Sequence, residues 1–211
     1  KINGLKYYGL SDHGVAMPGG PHLFYFQNLK VLPKEIDGVR ILKGMEANII
    51  DYDGNIDVTF DKYLNKLDYL IASLHTVCLE PGTKEQNTKA TIKAMDHELV
   101  KIIGHPDDGR YELDYEEVVK KAKEKNILLE VNNSSINPDS FRPNARENYK
   151  ELLTLCKEHN VRIILGSDAH ICYQVGILDD AERLIEEFDF PKELVINYHE
   201  DQIIEFFELN K

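Results

Sequence analysis

Six apolar, strand-like runs recur along this chain, and each is followed within a few residues by side chains able to bind a metal or an anion. His13 follows the run 5–10, Glu46 follows 39–45, His75 follows 70–74, and His105 follows 100–104. Asn132 and Asn133 follow 127–131, while Asp168 and His170 follow 161–165 and a Gly-Ser pair. The delivered positions 13, 46, 75, 105, 132 and 168 stand 27 to 36 residues apart. One βα unit takes about 30 residues. The spacing therefore predicts parallel strands that carry these side chains to one rim.

The segments between the runs have helical periodicity, at 85–96, 115–125, 145–159, 179–188 and 201–209. The clearest opens on Asp114 with Glu117 three residues on, a capping-box pattern. The runs themselves are near-continuous aliphatic stretches, as in strands buried on both faces. Such alternation builds a barrel or a doubly wound sheet. The absence of a glycine-rich phosphate loop after the first run favours the barrel, as do polar residues after every run. Barrels place their working residues at the C-terminal ends of several strands. Six runs are few for closure, and the first begins close to Lys1, so the chain reads as one domain, 1–211, that starts inside its fold.

A net charge of −12 disfavours duplex DNA or an anionic membrane as the main partner. Bound cations would still let an acidic protein take a phosphorylated substrate. No stretch reaches the roughly 18 apolar residues of a membrane span, and Lys1-Ile2-Asn3 does not open a signal peptide. Cys78, Cys156 and Cys172 have no CxxC spacing, which points to a reducing, cytoplasmic setting.

A carboxylate such as Glu46, ending a run otherwise fit for a core, is costly unless paired or metal-bound. His75 and His105 occupy equivalent places after two successive runs. Asp168 and His170 form an Asp-x-His pair that extended backbone directs to one side. His13 lies beside a glycine turn and reads equally well as a loop histidine. The nitrogen and oxygen donors suit zinc, manganese or iron. Such metals lower the pKa of bound water towards about 7 and polarise phosphoryl oxygens, so hydrolysis by metal-bound hydroxide is expected. Arg110, Arg142 and the Asn132-Asn133-Ser134-Ser135 loop are phosphate candidates, with a solvated arginine and a loop cap as the alternatives. His22, beside Phe24, Tyr25 and Phe26, fits a rim position or a structural one. Cys78 and Cys172 lie just beyond ligand candidates but read better as small hydrophobes.

The motifs Ser-Asp-His-Gly at 11–14, Gly-Met-Glu-Ala-Asn at 44–48, Ser-Leu-His at 73–75, Gly-His-Pro at 104–106, Glu-Val-Asn-Asn-Ser-Ser at 130–135 and Gly-Ser-Asp-Ala-His at 166–170 occur in order. Together they resemble the PHP family, named for its polymerase and histidinol-phosphatase members, and most closely its stand-alone bacterial phosphatases. The resemblance implies a distorted (β/α)7 TIM-like barrel, here lacking its N-terminal strand, and up to three zinc or manganese ions. It implies that Glu46 bridges two metals, that His75 and His105 complete the second, that Asp168 serves the first, and that His13 and His170 serve the third. Glu46, Asp168 and His170 would then carry the chemistry, with Arg142, Asn132, Asn133 and His22 near a small phosphate monoester. The family's first strand carries His-x-His, and no histidine precedes His13 in this chain. Two further readings stand beside this one: a nuclease module of the same family, since related domains accompany polymerases, and, from that departure, a metal-binding domain with impaired catalysis. Self-association stays open.

Overall fold

The computed structural model describes residues 4–58, 64, 66–137 and 140–210. Strands β1 (Tyr7–Leu10), β3 (Val39–Asn48), β4 (Tyr69–Ser73), β5 (Val100–Ile103), β6 (Leu128–Asn132) and β7 (Ile163–Gly166) form a parallel sheet in that spatial order. A short β2 (Glu35–Ile36) pairs antiparallel with β3. The parallel strands are thus the six runs of the sequence, added one after another with no switch point. The helices are α1 (Leu23–Asn28), α2 (Lys84–Ala94), α3 (Tyr115–Lys125), α4 (Asn133–Ile136), α5 (Ala145–His159), α6 (Asp179–Glu187) and α7 (Glu200–Phe206). No helix among the described residues is long and apolar enough to cross a membrane.

Laid flat, the outer strands β1 and β7 would stand roughly 24 Å apart at the usual interstrand spacing. Instead the ring of His13, beyond β1, lies 6.1 Å from that of His170, beyond β7. The sheet therefore curls into a barrel-like half-cylinder with its strand ends turned inward. No strand pairing closes the path from β1 to β7 among the described residues. Near that seam, Val195 bridges to Ile163, and the Asn197 amide exchanges hydrogen bonds of 2.8 and 3.0 Å with the Leu165 backbone. Glu200 then accepts from Lys6 at 2.8 Å and Tyr7 at 2.9 Å, tying α7 to β1.

Side chains alternate across each strand, and the two faces part cleanly. Met45, Ala47, Leu70, Ala72, Ile103, Leu129, Val131 and Leu165 point outward into the main core. There they meet Val118 and Val119 of α3, Leu152 and Leu153 of α5, and Leu184 and Ile185 of α6. The inward residues Leu42, Tyr69, Ile102 and Leu128 form a second cluster, plugged at the N-terminal ends of the strands by Phe206 and Phe207. One step along β1, β3, β5 and β7 the inward positions are glycines: Gly9, Gly44, Gly104 and Gly166. Tyr69 lies where a side chain at Gly9 or Gly44 would sit, and Glu130 lies against Gly166. Further along they turn polar: Glu46 and Asn48, Ser73 and His75, Glu130 and Asn132. The interior thus changes from oil to ligand along one axis.

Some local features differ from the expectations. Residues 23–28, outside the helical segments read from the sequence, form α1, and the Asn-Asn-Ser-Ser segment is a helical turn rather than an open loop. Strand β3 continues to Asn48, so Glu46 lies inside a strand and not after one. The pairing of Gly44 to Asn48 with Tyr69 to Ser73 of β4 carries the strand that far.

Candidate metal centre and its cleft

Glu46 is buried within β3, and its carboxylate is the hub of the site. The Oε2 atom lies 3.0 Å from His13 Nδ1. The Oε1 atom lies 3.4 Å from His75 Nε2 and 3.1 Å from His105 Nε2. The His75 and His105 Nε2 atoms are 3.2 Å apart. Burial alone pushes the Glu46 carboxyl up, but the His105, His13 and His75 imidazoles that face it outweigh burial and hold the group well below the usual range. Burial likewise holds His75 below the ordinary imidazole range despite its carboxylate neighbour.

Backbone geometry aims each histidine. His13 is bridged to Glu46, with Gly14 N–H donating to the Glu46 carbonyl at 2.7 Å and Glu46 N–H to the Asp12 carbonyl at 2.9 Å. His75 continues the inward phase of β4. His105 would face outward by alternation after Ile103, but its φ of 29° turns it in. Asp168, with φ of 49°, occupies the same left-handed region. Such backbones are uncommon for residues other than glycine and need support from their surroundings. For His105 the support is a 2.8 Å hydrogen bond from its N–H to Glu130 Oε2.

The proton positions of His75 follow from its neighbours. Asp57 accepts from Asn48 N–H at 2.8 Å and from Asn48 Nδ2 at 2.6 Å. A carboxylate can only accept, so the amide must present Nδ2 to Asp57 and Oδ1 to His75. The 2.8 Å contact between Asn48 Oδ1 and His75 Nδ1 is then a donation by His75. Neutral His75 therefore turns the lone pair of Nε2 towards Glu46 and His105. A fixed outer partner of this kind orients metal-ligating histidines.

The donors fit a divalent cation. His13, Glu46 and His75 offer ligand atoms that all lie within 4.8 Å of one another. His13 Nδ1 is buried and close to Glu46 yet makes no aligned hydrogen bond. Three imidazoles converging on one buried carboxylate, with a lone pair left over, is a donor set rather than a completed hydrogen-bond network.

Asp168 and His170 stand on the far side of His13. Asp168 Oδ2 accepts from Asn132 Nδ2 and from Arg142, each at 3.2 Å. His170 is largely exposed, with Nδ1 3.1 Å from the Asp168 carbonyl. Arg142 is buried, donating also to Ser135 Oγ at 2.8 Å, so it is a fixed wall and not a solvated loop arginine. Asn132 caps α4 and reaches Glu130. Asn133 Oδ1 accepts from the N–H groups of Asp180 and Ala181, turning away to the start of α6. His22 caps α1 by accepting from Phe24 N–H, a structural role at an exposed position. Arg110 is held on Asp108. The cysteines are free thiols, with Cys172 exposed and Cys156 buried.

Sequence reasoning did not single out Asn48, Asp57 or Glu130. Glu130 was legible in principle, as a carboxylate inside the apolar run 127–131. Burial pushes its carboxyl up to about 7. Above these groups opens a cleft of about 450 Å³, walled by His13, His75, Asp168 and Arg142 below and by Met17, Val77 and Phe141 nearer the mouth.

No family model matches the chain. It is 48% identical over 203 residues to a probable phosphatase of Clostridium botulinum, covering 96% of this chain and 82% of that protein. It is 45% identical over 210 residues to a probable phosphatase of Caldicellulosiruptor saccharolyticus, covering 100% of this chain and 86% of that one. Among solved structures it is similar to a histidinol phosphate phosphatase of Lactococcus lactis complexed with zinc, L-histidinol and phosphate. That likeness has a TM-score of 0.58 at 21% identity, covers 90% of this chain and 84% of the other, and speaks to the fold. Identity near one half along almost the whole length settles kinship: the chain belongs to the family of these bacterial probable phosphatases.

Proposed function

We propose that this protein is a metal-dependent phosphoesterase of the PHP type, acting on a small phosphate monoester. The observation that carries the reading is the buried Glu46 carboxylate within 3.4 Å of three imidazole nitrogens. Glu46, His75 and His105 would hold one cation, His13 would share the carboxylate from its other oxygen, and Asp168 with His170 would serve further cation density beside His13. The nitrogen and oxygen set suits zinc, manganese or iron. A divalent cation in such a setting acidifies water and polarises a phosphoryl oxygen.

The chain's own residues supply the rest. Arg142, fixed by Ser135 and Asp168, presents a guanidinium at the cleft wall, where planar donors can grip two oxygens of a phosphate. Asn48 and Asp57 keep His75 in the tautomer that leaves Nε2 free. Glu130 holds the His105 backbone in its unusual conformation. Binding energy is therefore directed at a tetrahedral dianion near Glu46, while the leaving alcohol lies towards the mouth.

Hydrolysis of a panel of phosphate monoesters, before and after chelation and after adding back zinc or manganese, tests this reading. Turnover should vanish on chelation and return with the metal. Turnover that survives complete metal removal, or absence of turnover on every ester with metal present, contradicts it.

A further inference from the structure

Phe141 is the least expected residue of the cleft. It lines the same cavity as His13 and Asp168 but leaves 71% of its surface open to solvent. A phenyl ring so exposed buries little of its apolar surface and adds little to the core. Hydrogen bonds flank Phe141 on both sides. Just before it, Ser140 N–H donates to the Asn137 carbonyl at 2.8 Å. The segment after it is pinned where Gly109 N–H donates to the Pro143 carbonyl at 3.0 Å. That carbonyl occupies the space a side chain at Gly109 would need, so the docking is specific to glycine. The neighbouring Arg142 is buried as an anchor.

Two guanidiniums attend the ring, Arg110 at 5.0 Å and Arg142 at 5.3 Å from its centroid. Each is itself restrained, Arg110 on Asp108 and Arg142 on Asp168. The ring is thus held by cation–π contacts while most of it stays open. Val77, 61% exposed, and Met17 add apolar surface in the same cavity. A volume of about 450 Å³ admits a phosphate and one ring system. The floor is polar and cation-binding, and the mouth is aromatic and apolar.

We propose that Phe141 is a stacking shelf that selects phosphate monoesters whose leaving group carries a planar aromatic or heteroaromatic ring. This rests on the phosphoesterase reading for the placement of the phosphate at the floor. The ring of the substrate lies on Phe141, and the ester oxygen lies between shelf and floor. Discrimination is a matter of binding, because Phe141 touches the leaving group and not the phosphoryl centre.

The test compares the parent with Phe141→Ala and Phe141→Tyr on 2-naphthyl phosphate and glycerol 2-phosphate. Phe141→Ala should raise KM for the naphthyl ester about threefold to tenfold, the size of one aromatic contact. It should leave kcat on both esters and KM for the glycerol ester unchanged, and Phe141→Tyr should restore the parent value. A second arm measures binding of phenylphosphonate and methylphosphonate, which are not hydrolysed, by calorimetry. Phenylphosphonate should bind more tightly, and Phe141→Ala should remove the difference. An equal change on both esters, or equal binding of both phosphonates by the parent, overturns the shelf. A parent that hydrolyses neither ester but keeps the phosphonate preference, lost in Phe141→Ala, defeats the phosphatase reading and sustains the shelf.

Discussion

Asn48 shows how much of a site can rest on a residue that touches no substrate. Its amide is locked by Asp57, and the lock decides which nitrogen of His75 carries the proton. Losing such an outer partner typically weakens metal affinity by roughly 10- to 100-fold. Asn48→Ala should therefore bind zinc or manganese weaker by that factor, in a titration against a competing chelator, with the fold intact by circular dichroism. Unchanged affinity would show that His75 needs no orienting partner. The six ligand candidates were visible in the sequence because each ends an apolar run. Asn48 and Asp57 were not, because their pairing depends on the turn that returns the chain from Asn48 to Asp57. Arg142 was visible as a phosphate candidate, but its burial was not. Only the fold brings Ser135 and Asp168 to it.

Among the elements, α3 and α5 were legible almost to the residue, and the short ones were not. Asp114 caps α3 as its sequence suggests, with its side chain accepting from Glu117 N–H at 3.1 Å. The return half of the capping box goes elsewhere, because Asp114 N–H donates to Thr88 on α2 at 2.8 Å. A tertiary partner has replaced a local one. The complete box lies unannounced at the start of α2, between Thr83 and Gln86. Replacing an N-cap side chain with alanine costs about 1 kcal/mol. Asp114→Ala and Thr83→Ala should each lower the urea midpoint by a corresponding amount without altering metal content. No loss in either would assign the helix starts to packing alone. The segments α1 and α4 escaped notice because 6 and 4 residues are too few to show a period.

At the scale of the molecule, the interior is graded from the Phe206 and Phe207 plug, through small residues around Tyr69, to the Glu46 centre. The sequence carried the six parallel strands and their order, since each run adds beside the last, but not the short β2. It did not carry the inner alternation, because outward and inward positions are both apolar at the N-terminal ends of the strands. The gradient separates stability from chemistry. Phe207→Ala, at the plug, should cost about 3 kcal/mol or more, the range of large-to-small core truncations, read by denaturant unfolding. Metal bound per folded chain should not change. Loss of metal together with stability would mean that plug and centre are one cooperative unit.

The central claim is that Glu46 is a cation ligand and not merely a buried acid satisfied by histidines. Elemental analysis of the purified parent and of Glu46→Gln, after equal dialysis with zinc or manganese, tests it directly. Glutamine keeps the shape and one acceptor oxygen but removes the charge. The parent should retain divalent metal in at least a one-to-one ratio, and Glu46→Gln should retain little or none while remaining folded. Equal metal in both proteins, or none in the parent, would contradict the account.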